Sequence, residues 1–434
     1  MLTVLNQSWA LLLGMFLLML GNGLQGTLLG VRGSLEGIDA ATLGIVMSAY
    51  FVGFLGGSWY TPTMLRRVGH VRVFAALGSL VSAAFILYAA VVDPIAWFAF
   101  RLVVGFCFSG IYVVAESWLN NQATNETRGQ TLSLYLMVQM GGIVLGQLLL
   151  NAADPQGYTL FVMISVLVSV SFAPILLSTS PTPHHGTQRA MSLRRLIEAS
   201  PLASVGIFLL GGIFAALFAM SSVYATERGL SIAATSTFVT AIFLGGMVCQ
   251  YPIGWLSDRI DRRWLIVGTT VVGALACAVA MTLAQSAQAL AACAFVIGGM
   301  ANPLYGLLLA YANDHLELED MAGASSGLLF VNGVGAMTGP VIVGQLMSRF
   351  GAGAFFAFIA VLMVGIAAYA MWRMTRRAAV PVGETSPYVQ VSSRTSVYGL
   401  GVAAEIVEEE RLEQLEAGEE TLESRAAETE PEER

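Results

Sequence analysis

Arg101 and Glu116 are ionisable residues inside one long apolar run, and they are the first candidates for chemistry. At 100° per residue of an α-helix, Arg101, Gly105, Tyr112 and Glu116 fall within an arc of about 60°. The sequence therefore predicts one polar stripe along a helix that faces other protein or water. A guanidinium group on this stripe is a candidate solute contact, because an arginine left in apolar surroundings costs several kcal/mol. The alternative for Arg101 is an interior salt bridge, or a side chain that reaches the aqueous boundary.

Few other polar side chains interrupt the apolar runs of this sequence. With Arg101 and Tyr112, the candidate solute-binding residues are Asn22, Gln25, Tyr135, Gln139, Asn302, Tyr305 and Asn332. Each of them alone is more often a hydrogen bond between helices than a ligand contact. Coupling to a proton needs a titratable group reachable from both sides of a membrane. Inside the runs we find only Glu116, near one end.

The sequence carries no recognisable catalytic or metal-binding motif. It contains neither H-E-x-x-H nor G-x-S-x-G, so a membrane-embedded enzyme has no constellation to use. The four cysteines lie in apolar segments without metal-ligand spacing, and we interpret them as small core residues. We expect no catalytic residues, no metal and no cofactor other than a coupling proton.

The elements that must position these residues follow from composition. Hydrophobic residues make up 56% of the 434 residues and charged residues only 11%, against roughly 25% charged in soluble domains. This excludes an ordinary cytosolic enzyme, a nucleic-acid-binding protein and a disordered protein. Residues 375–434 hold 14 acidic residues and 6 arginines, whereas residues 1–374 hold 14 acidic residues and 15 arginines. The net charge of −7 therefore belongs to an acidic tail on a nearly neutral apolar body.

Twelve apolar runs are long enough to cross a membrane, since a bilayer core of about 30 Å needs about 20 residues of helix. We number them span one to span twelve: 9–30, 41–62, 73–92, 95–118, 129–151, 158–178, 201–224, 234–256, 264–284, 289–312, 322–346 and 354–374. The first run lacks a basic flank and a cleavage pattern, so we expect it to be retained. The sequence thus predicts an all-α membrane protein.

Arginine placement predicts the orientation of the spans, because cytoplasmic loops collect basic residues. With the N-terminus inside, the outer loops hold only Arg32, Arg228 and Arg349. The inner ends hold Arg66, Arg67, Arg72, Arg128, Arg189, Arg194, Arg195, Arg259, Arg262, Arg263, Arg373, Arg376 and Arg377. We therefore expect both termini to be cytoplasmic, in the inner membrane of a bacterium.

The spans divide into two halves that repeat each other. Gly129, Gly141, Gly146 and Gln147 recur 198 residues later, and Gly105 and Tyr112 recur at an offset of 193. We predict an N-terminal six-helix bundle (1–178), a cytoplasmic linker (179–200), a C-terminal six-helix bundle (201–374) and an acidic, disordered cytoplasmic tail (375–434). Duplicated membrane bundles are a transporter architecture. We expect a monomer that binds a small solute and lipid but no nucleic acid, with an unknown tail partner.

The loop after span eight resembles the G-x-x-x-D-R-x-G-R-R signature of the major facilitator superfamily. Its residues are Gly254, Asp258, Arg259, Arg262 and Arg263, with Asp261 in place of the second glycine. The carboxylate can accept hydrogen bonds from a neighbouring helix end, so the loop is a candidate latch between the halves. The alternative is that the arginines only anchor the loop at the cytoplasmic face and form no latch.

The corresponding loop of the first half keeps Arg67 and Gly69 but has Arg66 where the signature has aspartate. Another carboxylate must then complete a latch there. Glu116, at the cytoplasmic end of span four, is our candidate, with Arg67 or Arg128 as its partner.

The resemblance also implies how the spans work. In the superfamily, spans one, four, seven and ten usually line the cavity, so the polar candidates would converge on one solute site. The Arg101-x-x-x-Gly105 start of span four resembles a motif of proton-coupled exporters, and its E-S-W-L-N ending resembles a bacterial branch with poorly defined substrates. The glycine–proline motif of antiporters, normally in span five, has its likeness in span eleven. The predicted helix-packing residues are Gly105, Gly142, Gly146, Gly335, Gly339 and Pro340.

The leading hypothesis is a secondary active transporter that moves a small solute by alternating access, in proton-linked export. An uptake permease or facilitator is the alternative, as is a transporter-derived sensor that signals through the tail. In the tail, residues 403–417 could form one short helix with Ile406, Leu412 and Leu415 as its apolar stripe. Disorder is the expected state of the tail, and a docking segment for a basic partner is the alternative.

Overall fold

The computed structural model describes residues 2–123, 125–176, 191–282, 286–381, 385–392 and 394–412. Twelve of its helical segments are long and apolar enough to cross a membrane, and the described residues contain no strand. In order, the spans are Leu2–Leu35, Ala40–Val68, His70–Ala90, Pro94–Gln122, Asn125–Leu148 with a 3₁₀ turn Leu149–Asn151, Thr159–Ser171 with Ala173–Leu176, Pro201–Ala215 with a π-helical segment Ala216–Met220 and Ser221–Glu227, Ile232–Ser257, Arg262–Thr282, Ala287–Asn313, Leu318–Phe350 and Ala354–Met374. The all-α fold with twelve spans is confirmed.

Local sequence explains where spans begin and end. Asp39 caps span two by accepting hydrogen bonds from the backbone N–H groups of Ala41 and Thr42. The Thr42 hydroxyl also donates to Asp39, and these bonds hold the pKa of its carboxyl below the ordinary value. Asp93 caps span four in the same way, with proline at the first position. Gly69, with φ of 83°, provides the left-handed turn between spans two and three.

The two halves pack their spans in equivalent ways. Gly105 of span four lies against the backbone carbonyl of Tyr50 in span two. Gly298 of span ten lies against the backbone carbonyl of Ile242 in span eight. A Cβ atom at either glycine would collide with that carbonyl, so both positions need glycine for the helices to approach. At this pair of positions, the repeat read from the sequence is a repeat of helix contacts.

The other predicted packing residues also lie at helix contacts. Gly142 and Gly146 face span one, where a Cβ atom on Gly142 would come within 2.9 Å of the Phe16 carbonyl oxygen. Gly335 faces the Phe208 carbonyl of span seven, and Gly339 faces Gly212. Pro340 lies inside span eleven.

The two halves touch each other directly on one side of the bundle, which carries the loops at 36–39, 228–231 and 351–353. We call this side the closed face. Here a Cβ atom at Gly44 of span two would collide with the Pro340 carbonyl of span eleven. The Ser236 hydroxyl of span eight donates to the Gln147 carbonyl of span five at 2.6 Å. Close backbone contact therefore joins the halves on this face.

The opposite side carries the arginine-rich loops, and we call it the arginine-rich face. A stretch of the chain beyond span twelve, residues 385–392 and 394–412, lies between the halves there; we call it the C-terminal segment. It contacts Glu116 of span four and Asp258, which follows span eight, through its own backbone N–H groups. The segment therefore joins the halves on the arginine-rich face, whereas on the closed face the spans themselves join them.

The C-terminal segment corrects the expectation of a disordered tail, as far as residue 412. Residues 397–412 form a helix, and its buried side chains are Leu400, Val402, Ala403, Ala404 and Val407. The i, i+3, i+4, i+7 spacing of Leu400, Ala403, Ala404 and Val407 gives an apolar face, whereas the predicted stripe used Ile406 and Leu412, and Leu412 is exposed. Leu415 and the rest of 413–434 lie outside the described residues. So do 179–190 of the predicted linker, which continues as the helix Leu193–Ala199.

Candidate functional site

A central cavity lies between the two halves of the bundle. The space in it that protein atoms do not occupy, including open solvent at its mouth, is about 990 Å³. Its polar lining consists of Asn22, Gln25, Thr27, Ser58, Arg101, Gln147, Asn332 and Arg394. Its aromatic lining consists of Tyr50, Phe51 and Phe54 from span two, Phe214 and Phe218 from span seven and Phe243 from span eight. Apolar walls with a few polar groups are typical of a site for a small organic molecule.

Arg101 projects into this cavity as the predicted stripe requires. Its side chain is 4% exposed, and its Nη2 donates to the sulfur of Met47 at 2.6 Å. The guanidinium carbon lies 5.7 Å from the ring centre of Tyr50, and Nε has no hydrogen-bond partner in the described part of the chain. No ion pair to Arg101 is present among the described residues. The interior salt bridge considered for Arg101 is therefore not formed within the described chain.

Span seven supplies an aromatic wall where its helix is irregular. The π-helical segment Ala216–Met220 interrupts the span, and such segments often mark functional sites. Phe218 in this segment stacks on Phe243, with ring centres 4.9 Å apart. Arg394 of the C-terminal segment lies over this pair, with its guanidinium carbon 4.6 Å from the Phe218 ring centre and 5.5 Å from that of Phe243. The stacked rings thus hold a second arginine at the cavity.

Four of the predicted solute-binding residues line the cavity: Asn22, Gln25, Arg101 and Asn332. The Asn22 amide donates to the Tyr112 hydroxyl at 3.4 Å, and the Asn332 amide donates to the Ile207 carbonyl at 3.3 Å. The Gln25 amide nitrogen is buried and has no hydrogen-bond partner among the residues that the structure describes. Asn22 and Asn332 therefore help to join helices as well, whereas Gln25 has a free donor for a ligand.

The other five predicted residues do not reach the cavity. Tyr112 lies behind Asn22 and also donates to the sulfur of Met19 at 3.5 Å. Tyr135 donates to Glu116 at 3.2 Å, and the Asn302 amide donates to the Gly298 carbonyl of its own helix at 2.9 Å. Gln139 and Tyr305 are buried away from the cavity lining. These side chains correct the predicted set, because their stripes continue beyond the cavity into helix contacts.

Glu116 is held by the C-terminal segment. Its buried carboxylate accepts hydrogen bonds from the backbone N–H groups of Ser396 at 2.7 Å and Gly399 at 3.2 Å. This corrects the partners predicted for a latch. Arg67 is exposed at the end of span two, and Arg128 instead pairs with Glu405 at 2.8 Å and Glu409 at 3.7 Å. Both of these acids belong to the C-terminal segment, which therefore supplies partners to Glu116 and to Arg128.

The second-half signature also contacts the C-terminal segment. Asp258 accepts hydrogen bonds from the Tyr388 backbone N–H at 2.9 Å and from Arg262 at 3.2 Å. The buried Arg262 pairs with Asp314 at 2.5 Å and also donates to the Ser386 carbonyl. Asp314 in turn accepts from the Ser386 backbone N–H at 2.8 Å. The latch residues thus bind a stretch of chain that the sequence did not place there.

The remaining signature residues have local partners. Arg259 stacks on Trp255, with 4.0 Å between the guanidinium carbon and the ring centre. Arg263 pairs with Asp261 at 2.7 Å. Burial acts to raise the pKa of the Asp261 carboxyl, but the hydrogen bonds from Arg263 outweigh it and leave the pKa below its ordinary value. Gly254 lies against the ring of Tyr388. The aspartate that replaces the second glycine therefore has a structural partner of its own.

The sequence matches the Major Facilitator Superfamily over residues 11–248 and again over residues 202–404. The chain belongs to this superfamily. It is a multi-pass membrane transporter of the bacterial inner membrane and not an enzyme. The second match extends into the C-terminal segment.

Similar proteins agree with this assignment. The chain is 28% identical to the Uncharacterized MFS-type transporter YcaD of Escherichia coli O6:K15:H31 (strain 536 / UPEC), over 81% of this chain and 91% of YcaD. It is 27% identical to the Uncharacterized MFS-type transporter Ent638_1421 of Enterobacter sp. (strain 638), over the same shares. Both similarities span nearly the whole of these transporters.

Solved structures share the fold. A point mutant of the nucleoside transporter NupG aligns with a TM-score of 0.74 and 14% identity, over 84% of this chain and 99% of NupG. A bacterial homologue of the human lysosomal transporter Spinster, inward-facing and unoccupied, aligns with a TM-score of 0.66 and 14% identity, over 92% and 97%. At these identities the likeness establishes the fold alone.

Several site residues were missed by the sequence analysis. Arg394 lies in a polar stretch without helical periodicity, so nothing in the sequence signals that it reaches the cavity. Asp314 is the C-cap of span ten, and nothing in the sequence signals that it also pairs with Arg262. Tyr50, Phe218 and Phe243 are aromatic residues in apolar spans, and their position at the cavity follows only from the packing of the spans.

Proposed function

We propose that this protein moves a small organic solute across the inner membrane by alternating access through the central cavity. The observation that carries the proposal is Arg101, a buried arginine that lines a cavity between two pseudo-symmetric halves and has no ion pair among the described residues. A buried charge of this kind is costly, and in membrane proteins it usually marks a substrate pathway. Because the cavity lies between the halves of one chain, a monomer is sufficient.

The arginine-rich face is proposed to face the cytoplasm, following the bias of basic residues in inner loops. The halves then touch on the periplasmic side, and the C-terminal segment covers the cavity on the cytoplasmic side. Exchange of solute with the cytoplasm requires this segment to move. Exchange with the periplasm requires spans two and eleven to separate.

Proton-linked export is the proposed direction and coupling. Its support is the likeness of Arg101-x-x-x-Gly105 to the motif of proton-coupled exporters. Glu126, Glu227, Glu319 and Asp320 stand in the first or last turn of the described spans, so Glu116 is the acidic residue placed more than one turn inside a span. Glu116 lies at a smaller cavity, which Arg128 and Tyr135 also line. We therefore assign Glu116 as the proton carrier of the proposed mechanism.

The test is solute flux into proteoliposomes made with purified protein, after a thermal-shift screen has supplied a solute. We expect Arg101→Ala to insert normally and lose flux. The matched control is Arg194→Ala, since Arg194 is exposed and pairs only with Glu198 among the described residues. Flux should respond to an imposed pH gradient, and Glu116→Gln should remove that response. Unchanged flux in Arg101→Ala would overturn the role of Arg101.

Signalling through the tail is the second candidate function. It is favoured by the contacts of the C-terminal segment with both halves, through Glu116 and Asp258. A sensor lacking residues 379–434 should lose its cellular response and retain transport. If the protein transports without signalling, cells should show no such response, either with or without residues 379–434.

A further inference from the structure

We propose that Arg101 and Arg394 together bind the anionic group of the transported solute, which is an organic acid with an aromatic or apolar body. This inference rests on the proposed transport function and names the class of its solute. Arg101 comes from span four and Arg394 from the C-terminal segment, and both line the central cavity. The two residues lie far apart in the sequence and line one cavity only in the folded protein.

The cavity carries positive charge that no described lining residue balances. Among the residues that the structure describes, none of those lining the cavity is acidic. Among the described residues, neither arginine forms an ion pair with a carboxylate. Two guanidinium groups at one cavity repel each other and lose much of their hydration. A bound anion would remove the repulsion and offset part of the desolvation cost, whereas a cationic solute would add to it.

Arg101 has hydrogen-bond donors to spare. A guanidinium group carries five N–H donors, and Nη2 of Arg101 donates to the sulfur of Met47, which is a weak acceptor. Its Nε is buried without a partner. A carboxylate or phosphate group can take two parallel N–H donors of one arginine. Arg101 therefore offers the donor set that such a group needs.

Arg394 is positioned by aromatic rings, which do not use up its donors. It lies over Phe218 and Phe243, and a guanidinium group that stacks on a ring keeps its in-plane N–H groups for an anion. The stacked rings also orient a side chain that would otherwise be mobile. Arg394 is therefore a cation that the two rings position in the cavity lining.

The walls favour a flat apolar body on the solute. Tyr50 and Phe54 of span two line the cavity together with Phe218 and Phe243 of the second half. Aromatic side chains bind rings by offset stacking and edge contacts. Gln25 adds a free amide donor. The site thus combines an anion clamp with aromatic walls.

The test uses matched ligands that differ in charge and not in shape. Phenylacetate, phenyl phosphate, phenylacetamide and phenethylamine are each titrated onto the full-length protein in detergent, with thermal shift and calorimetry as readouts. Sodium chloride and inorganic phosphate are included as anions without an apolar body. We expect phenylacetate or phenyl phosphate to stabilise the protein, and the amide, the amine and the inorganic anions to have little effect.

The variants are Arg101→Gln, Arg394→Gln and the exposed control Arg194→Gln. Each cavity variant should weaken anion binding roughly tenfold to a hundredfold, and the control should leave it unchanged. Arg394 lies outside the twelve spans, so its variant keeps the test valid if Arg101→Gln fails to fold. Without ligand, Arg101→Gln should unfold at the same temperature as the wild type or higher, because it removes an unbalanced buried charge. A structural arginine would give the opposite result.

Three results would overturn the proposal: equal binding of the amide or amine, unchanged anion binding in both cavity variants, or no stabilisation by either organic anion. Binding of inorganic anions alone would remove the organic body from it. The outcome for transport is separate. Arg101-dependent flux of a neutral or cationic solute would retain the transport function and reject the anionic class. Anion binding without flux would retain the anionic class of ligand and reject the transport function.

Discussion

On the closed face the two halves touch each other through span backbones, whereas on the arginine-rich face the C-terminal segment lies between them. Gly44 against Pro340 is a contact between two spans of the body. The contact of Glu116 with the backbone N–H groups of Ser396 and Gly399 joins a span to the C-terminal segment. The first contact can open only if the halves rotate. The second can open if the segment alone leaves.

The difference matters for how the cavity is reached. Alternating access by rocking of two halves needs both faces to open and close in turn. Here one of the two closures is made by the C-terminal segment, which follows span twelve and is not itself a span. The arginine-rich face can therefore be controlled separately from the rocking of the halves.

The largest expected effect concerns Arg262, which ties the segment to span ten on the arginine-rich face. Arg262→Ala leaves Asp314 buried without its cation, and burial raises the pKa of the Asp314 carboxyl already in the intact protein. Breaking a buried pair in this way costs about 3–5 kcal/mol. Thermal unfolding in detergent should show a clear loss of stability. Arg194→Ala, at an exposed pair, should change it by about 1 kcal/mol or less; equal losses in the two variants would contradict this account.

Glu116 should decide how firmly the segment is held. Glu116→Ala removes the acceptor of two backbone N–H groups, and hydrogen bonds to a charged group contribute about 1.5–3 kcal/mol. Tryptic cleavage at Arg394 should become faster by about tenfold or more. Glu116→Gln keeps one acceptor oxygen and should have a smaller effect. The control is Glu198→Ala, which alters an exposed acid that pairs with Arg194; cleavage equally slow in all three variants would show that Glu116 does not hold the segment.

Gly44→Ala tests the closed face in the same way. The added Cβ atom would collide with the Pro340 carbonyl, and overpacking of this kind costs about 1–3 kcal/mol. The closed face should open more often, seen as faster thiol labelling of cavity cysteines from that side. Gly141→Ala is the matched control, because a Cβ atom there meets no atom within 4 Å. No difference between the two glycine variants would mean that this contact does not close the face.

The smallest expected effect is a pH dependence at Asp39 on the closed face. The carboxyl of Asp39 has a lowered pKa, chiefly through the Thr42 hydroxyl. Its contribution is therefore present above the unfolded-state pKa and lost as the pH falls through the lowered value. Asp39→Ala should cost about 1 kcal/mol near neutral pH and less once the carboxyl is protonated. Thermal unfolding at both pH values measures this, and a pH-independent difference would contradict it.

Much of the fold followed from sequence because the bilayer imposes a simple rule. Long apolar runs must be helices, and glycine pairs at fixed offsets marked equivalent contacts such as Gly105 and Gly298. Arg101 could be found because a charge in an apolar run stands out. Tyr112 shares its stripe but faces a helix contact, since a helical wheel gives direction and not depth.

The C-terminal segment could not be read in the same way. Its apolar face uses small residues such as Ala403 and Ala404, which carry little hydrophobic signal next to glutamates. Arg394 contacts Phe218, from which it is separated in the sequence by most of the second half. No local sequence pattern encodes a contact between residues so far apart in the chain. Acidic composition predicts a solvated tail, but composition does not show that Glu405 has Arg128 to pair with.

The central claim, that the C-terminal segment closes the arginine-rich face of the cavity, can be tested by thiol labelling in nanodiscs. The variant Ser58→Cys places a thiol in the cavity lining, in a chain whose four native cysteines are replaced. Gln156→Cys, exposed in a loop, gives the reference rate. Chains ending at Pro381 should be labelled at position 58 roughly tenfold faster or more than full-length chains, or about 1.4 kcal/mol of closure. Equal rates in the two chains would contradict the claim.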